Sequence, residues 1–195
     1  MEADWSVEIG ADLPRIVVPW ADEGLCFVDL AGSADPAQLI AQTTAQLAEQ
    51  WSHAALAKAL LALNAPNSTV FTSKCDAWPL QADEIDPLEF DANSPASTGS
   101  ACYIDIIFRD SAAFGSFEWH ETWLRRTTQH LRTLPLRSAR IELVLRQAEV
   151  EAAEGFAITL YAMGCGADSN AANTAWSAAV GLARQASLQC CAPLE

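Results

Sequence analysis

The sequence predicts an α+β fold with a mainly antiparallel sheet of about five to seven strands and three main helices on one face. Three observations carry this. Apolar and polar residues alternate in at least six short runs, the signature of half-buried strands. Three longer segments instead repeat their apolar residues at helical spacing. The two kinds of segment follow one another as strand pair then helix, three times over, a ββα order that has the form of a weak internal repeat and is nearest to a ferredoxin-like or related arrangement.

SVEI (6–9) and RIVVPW (15–20) read as short strands separated by Gly10, Asp12 and Pro14. LCFVDL (25–30) reads as a further strand. Ser33 or Asp35 then caps a helix, with Pro36 at its first position. That helix runs over about 36–63, with a break near Gln50–Ser52, and NAPNS (64–68) stops it. TVFTSKCDAW (69–78) is the next strand. Residues 79–100, acidic and then rich in small residues, read as a long surface loop within a single domain spanning 1–195. ACYIDIIFRD (101–110) is the strongest strand pattern in the chain. Ser111 is placed to cap a helix over about 112–134, which Pro135 ends. ARIELVLR (139–146) and GFAITLYAM (155–163) form a strand pair joined by an acidic turn at 149–154. A last helix covers about 170–189. CFVDL, YIDII and FAITL occupy equivalent places in the three units, and the helices that follow carry Trp51, Trp119 with Trp123, and Trp176.

The 195 residues are 51% hydrophobic, too many for a disordered chain, and carry a formal charge of −14. That charge argues against a phosphate backbone as partner. No run of 18 apolar residues predicts a membrane span, and the acidic N-terminus lacks the apolar region of a secretory signal. Six cysteines without framework spacing or a CxxC pair fit a reduced, cytoplasmic protein. Arg outnumbers Lys nine to two, as a GC-rich, bacterial-like coding bias would produce. Charge is uneven: residues 1–100 hold 15 acids and three basic groups, whereas 109–146 hold seven Arg against four acids.

Alternation assigns two faces to the strands. Phe71 and Cys75, Cys102, Ile104, Ile106 and Phe108, Ile141, Leu143 and Leu145, and Phe156, Ile158 and Leu160 belong against the helices. Phe27 and Asp29, Thr72, Lys74 and Asp76, Tyr103, Asp105 and Arg109, Arg140, Glu142 and Arg146, and Thr159 and Tyr161 belong on an open face. Both tyrosines of the chain and one of its two lysines fall there. Lys74, Asp105, Tyr103, Tyr161 and Asp29 are therefore the candidate residues for a small polar or anionic ligand, beside the plainer reading of a solvated face with cross-strand charge pairs.

On the helix over 112–134, Phe114, Phe117, Leu124 and Leu131 form the expected core stripe. Trp119, Trp123 and His130 face away from it, either against a neighbouring element or as a partner or homo-oligomer interface. His120-Glu121 is half of a zinc HExxH signature, but Leu124 stands where the second His belongs, so no metal site is expected. GCGADS (164–169) has the outline of a dinucleotide-binding turn, yet too little chain follows for the strand such a site needs. Asp168 or Ser169 capping the last helix accounts for it. Cys165 there is a candidate reactive thiol if a helix N-terminus lowers its pKa. No nucleophile and base pair stands out, and no cofactor is implied. The leading expectation is a binding or protein-interaction module without catalysis. The alternative is a small enzyme using the open face or the 164–169 turn.

Overall fold

The computed structural model describes residues 1–22, 25–44, 54–86, 88–90 and 96–189. Its strands are β1 (Glu2–Glu8), β2 (Ile16–Val18), β3 (Ala21–Asp22), β4 (Leu25–Cys26), β5 (Val70–Leu80), β6 (Thr98–Phe108), β7 (Ala139–Val150) and β8 (Ala153–Gly166). Its helices are α1 (Pro36–Thr44), α2 (Ala54–Leu63), α3 (Ser111–Gly115), α4 (Phe117–Arg132) and α5 (Ser169–Gln189), with a 3-10 turn at Ala82–Glu84. The architecture is α+β. Six strands form one mixed, mostly antiparallel sheet in the order β1-β7-β8-β6-β5, and β2 continues alongside β7 past the end of β1. Only β1 and β2 run parallel to their neighbour.

Local chemistry places the element ends. The β7–β8 hairpin closes through Glu151 and Ala152, with φ of 49° and 69°. Two left-handed residues give the turn that matches strand twist. Asp110 caps α3 by accepting from the Ala113 amide at 2.8 Å, and Ser116 caps α4 by accepting from the Trp119 amide at 3.2 Å. The expected helix over 112–134 is therefore two helices, because the extended backbone of Ser116 interrupts it.

The main core lies between one face of the sheet and the helices. Ile104, Ile106, Ile141, Leu143, Ile158 and Leu160 project into the same cluster as Leu60 of α2, Leu124 and Leu131 of α4, and Val180 of α5. α5 sits directly on β8: a Cβ on Gly164 would lie 2.2 Å from the Trp176 amide nitrogen. Asn64, just after α2, ties that helix to β5. Its Nδ2 donates to the Leu60 carbonyl and to Thr72 Oγ1, both at 2.8 Å, and its Oδ1 accepts from the Thr72 amide at 3.0 Å.

Several expectations are corrected. SVEI and RIVVPW contribute to β1 and β2, and each adds to β7 rather than to a hairpin with LCFVDL. LCFVDL contributes only β4 to a separate two-stranded ribbon with β3, so Phe27 and Asp29 are not on the main sheet. The first of the three proposed ββα units thus lacks its hairpin. The helix expected over 36–63 is α1 and α2, and its predicted break near Gln50–Ser52 lies outside the described residues, as do Trp51, Cys190 and Cys191. The loop expected over 79–100 is shorter, because β5 runs to Leu80 and β6 begins at Thr98. Its Ile85 and Phe90 are buried.

In β5 the predicted faces fail at a bulge between Thr72 and Cys75. Thr72 lies on the helix side, bonded to Asn64, while Phe71 packs on the opposite side with Ile107. Cys75 keeps the helix side but lies exposed on the edge strand. In α4 the buried stripe is His120, Trp123, Leu124, Thr127, Thr128 and Leu131, and Phe117 is 40% exposed. Trp123 is therefore a core residue, not an interface residue. Trp119 is half-buried, with its ring 4.2 Å from that of Phe108, and only His130 of the three is exposed.

Candidate functional site

The sheet face away from the main core carries two small hydrophobic clusters with a polar band between them. At one end, Ile16 and Val18 of β2, alongside β7, cluster with Ile107, Ala148 and Ala157 and with Phe114 of α3. At the other end, Leu80, Ile85 and Phe90 cover Ala101 and Cys165. The acidic segment after β5 is anchored by its own apolar residues, so it frames this face.

The strand registers lay out the band. One row crosses the sheet as Asp76, Tyr103, Tyr161, Glu142 and Asp4. The next holds Asp105, Thr159 and Val144. Beyond it Arg146 stands beside Glu8. Trp78, Tyr103 and Tyr161 make an aromatic ladder, with ring centroids 6.2 and 6.1 Å apart. Both tyrosines are half-buried.

Beneath them Asp105 is only 6% exposed, and its Oδ1 accepts from Thr159 Oγ1 at 2.7 Å. Burial dominates its titration, raising the carboxyl to about 6, although the Thr159 hydrogen bond and the charges of Arg146 and Lys74 pull the other way. A carboxyl so placed changes charge near neutrality. Burial first, and then the carboxylates of Asp105 and Asp76, push the Tyr103 phenol upward.

The basic groups of the band are engaged. Lys74 lies in the bulge, its Nζ 4.8 Å from the centre of the Trp20 ring. Trp20 Nε1 donates to the Ser73 carbonyl at 3.2 Å, which pins the bulge from the N-terminal segment. Such bulges re-aim side chains. Arg146 Nη2 donates to Glu8 at 2.8 Å and to the Tyr161 hydroxyl at 3.4 Å. Arg140 pairs with Glu89 and with Glu142.

The structure thus brings together Lys74, Asp105, Tyr103 and Tyr161 but not Asp29, which sits in an exposed turn accepting from the Gly32 amide at 2.8 Å. Trp20 and Trp78 belong to the site and were not singled out by sequence. Trp20 reads as a strand end and reaches the band only through the fold of the N-terminal segment.

Cys165 is not the reactive thiol expected. It lies within β8, 1% exposed, and burial raises its pKa. Asp168 caps α5 by accepting from the Ala171 amide at 2.8 Å. His120 is fully buried among Phe108, Trp119 and Phe156, which disfavours its charged form. Among the described residues no group of three or more His, Cys, Asp and Glu could hold a metal ion, and no helix is long and apolar enough to cross a membrane. No protein family, curated protein or solved structure matches the chain.

Proposed function

We propose that the protein is a binding module without catalysis and that its ligand lies on the polar band between the two small clusters. The carrying observation is the half-buried pair Tyr103 and Tyr161 above the buried Asp105–Thr159 pair. Tyrosine offers an apolar ring with a polar tip, so it anchors ligands without costing solubility when unoccupied. A carboxyl kept out of water at a net cost is better explained by recognition than by stability. The free thiols of Cys75, Cys102 and Cys165 support a reducing, cytoplasmic setting.

A second reading, a small enzyme, is favoured by the position of Asp105. A carboxyl near 6 beside Lys74 and Tyr103 has the titration expected of a general acid or base. For the architecture, we also propose kinship with ferredoxin-like sheets. The support is that the crossover from β6 through α4 to β7 straddles β8, as in a split β-α-β unit, with β5 supplying the outer strand from the N-terminal side.

The test is a two-dimensional NMR screen of polar small molecules and short peptides against wild type, Tyr103→Ala, Tyr161→Ala and Asp105→Asn. The proposal expects hits that shift the amides of the band and weaken in the tyrosine variants. Hits that map elsewhere and ignore these variants overturn it. Turnover of a hit that disappears in Asp105→Asn selects the enzyme reading.

A further inference from the structure

We infer that the band receives an extended segment of a partner protein carrying two basic side chains four residues apart. This rests on the band being the binding face and specifies the chemistry of its occupant. Lys74, Arg140 and Arg146 each already have an anionic or aromatic neighbour. Asp76, by contrast, is exposed and forms no ion pair among the described residues, its Oδ1 accepting only from the Ala77 amide at 2.7 Å. It stands directly beside Tyr103, whose ring offers a cation its negative face. Glu142 stands beside Tyr161 in the same row, and its one salt bridge among the described residues, to Arg140, is long at 3.6 Å. The row therefore presents carboxylate, two tyrosines and carboxylate.

Spacing selects the occupant. Asp76 and Glu142 are three strand intervals apart, since β5, β6, β8 and β7 are successive neighbours. At about 4.8 Å per interval this is about 14 Å. An extended peptide advances about 3.3 Å per residue, so side chains at i and i+4 are about 13 Å apart and point the same way. A single small cation cannot meet both carboxylates. The clusters at the two ends of the strands leave the band open across the strands, the direction such a segment must take.

The probe is the blocked peptide Lys-Ala-Ser-Ala-Lys, titrated by NMR and calorimetry at low and physiological salt. Controls are Glu-Ala-Ser-Ala-Glu, Lys-Ser-Lys and lysine amide. The expected result is binding that shifts the amides of Asp76, Tyr103, Tyr161 and Glu142. It should weaken about threefold or more in Asp76→Asn and in Glu142→Gln, about tenfold in Tyr103→Ala, and again as salt rises. Asp76 is solvent-exposed, so its variant tests the idea even if Tyr103→Ala fails to fold. Equal binding of the acidic peptide, indifference to Asp76→Asn and Glu142→Gln, or lysine amide binding as tightly as the peptide would each overturn the inference. If the lysine peptide fails while another ligand perturbs the band and loses affinity in Tyr161→Ala, the basic-segment chemistry falls and the binding face stands. If no ligand perturbs the band, both fall.

Discussion

Replacing Asp105 by Asn should make the protein more stable at neutral pH, against the usual direction for a buried polar residue. The carboxyl is held at about 6, against 3.8 for the group in a solvated chain. Between those values the native state binds a proton that the unfolded chain has released, so stability falls as pH rises. The favourable contribution is complete below about pH 4 and is lost once pH passes about 6, the reverse of a salt-bridged aspartate. At 1.36 kcal/mol per pK unit, the penalty of holding the charged form at pH 7.5 is on the order of 3 kcal/mol. Asn removes that charge and keeps an oxygen to accept from Thr159. In a domain of this size about 3 kcal/mol corresponds to roughly 6–12 °C in Tm. Thermal melts of wild type and D105N from pH 4 to 8, followed by circular dichroism, should show the gap opening between pH 4 and 7. A variant no more stable than wild type at pH 7.5, or a gap of equal size at pH 4, would refute the reasoning.

Four further outcomes probe the frame that holds the site. Gly164→Ala would press a methyl into the α5 backbone at Trp176, and should cost about 1–3 kcal/mol or more in urea unfolding. Gly181→Ala, within the same helix and with nothing within 4 Å, should instead gain up to about 1 kcal/mol. Asn64→Ala leaves the buried Thr72 amide and hydroxyl without their partner and should lower stability by about 1–3 kcal/mol for each group left unsatisfied, with hydrogen exchange faster in α2 and β5. Trp123→Ala removes a side chain 2% exposed and should cost about 3–5 kcal/mol in denaturant unfolding; a stability change near zero would restore Trp123 to the surface.

The parts of the fold legible in sequence are those where one physical rule dominates. In β6, β7 and β8 the side-chain period is unbroken, so Ile104, Leu143 and Leu160 face the core and Tyr103, Glu142 and Tyr161 face away, as alternation requires. In β5 the same rule breaks because a bulge adds residues to one strand, and alternation carries no sign of a bulge until the partner strand is known. Phe71 and Thr72 exchange faces for that reason. Helical spacing located α4 and put Phe114, Leu124 and Leu131 in the core, but it also placed Phe117 there and left Trp123 out. A single helical phase joins Phe114 to Leu124, whereas the break at Ser116 changes the phase between them. Tyr103, Asp105 and Tyr161 share one face, as alternation requires, because they lie on the regular strands. Asp29 stands apart because the run at 25–30 pairs only through Leu25 and Cys26, in the small ribbon with β3 rather than in the main sheet. Trp20 reaches the band by a long-range hydrogen bond to Ser73, which no local pattern encodes.

The pairing of β1 with β7 also bears on how the chain is made. Glu8 and Arg146 are bonded across 138 residues, so β1 is made long before β7, the strand it joins. Until then Glu2, Asp4 and Glu8 alternate with Ala3, Trp5 and Val7, and that negative edge repels premature docking onto other nascent copies. The hairpin of β5 and β6 and the hairpin of β7 and β8 are assembled from nearer neighbours. The sequence separation of the β1–β7 pairing is thus far larger than that of either hairpin, and such long-range contacts carry the larger loop-closure cost.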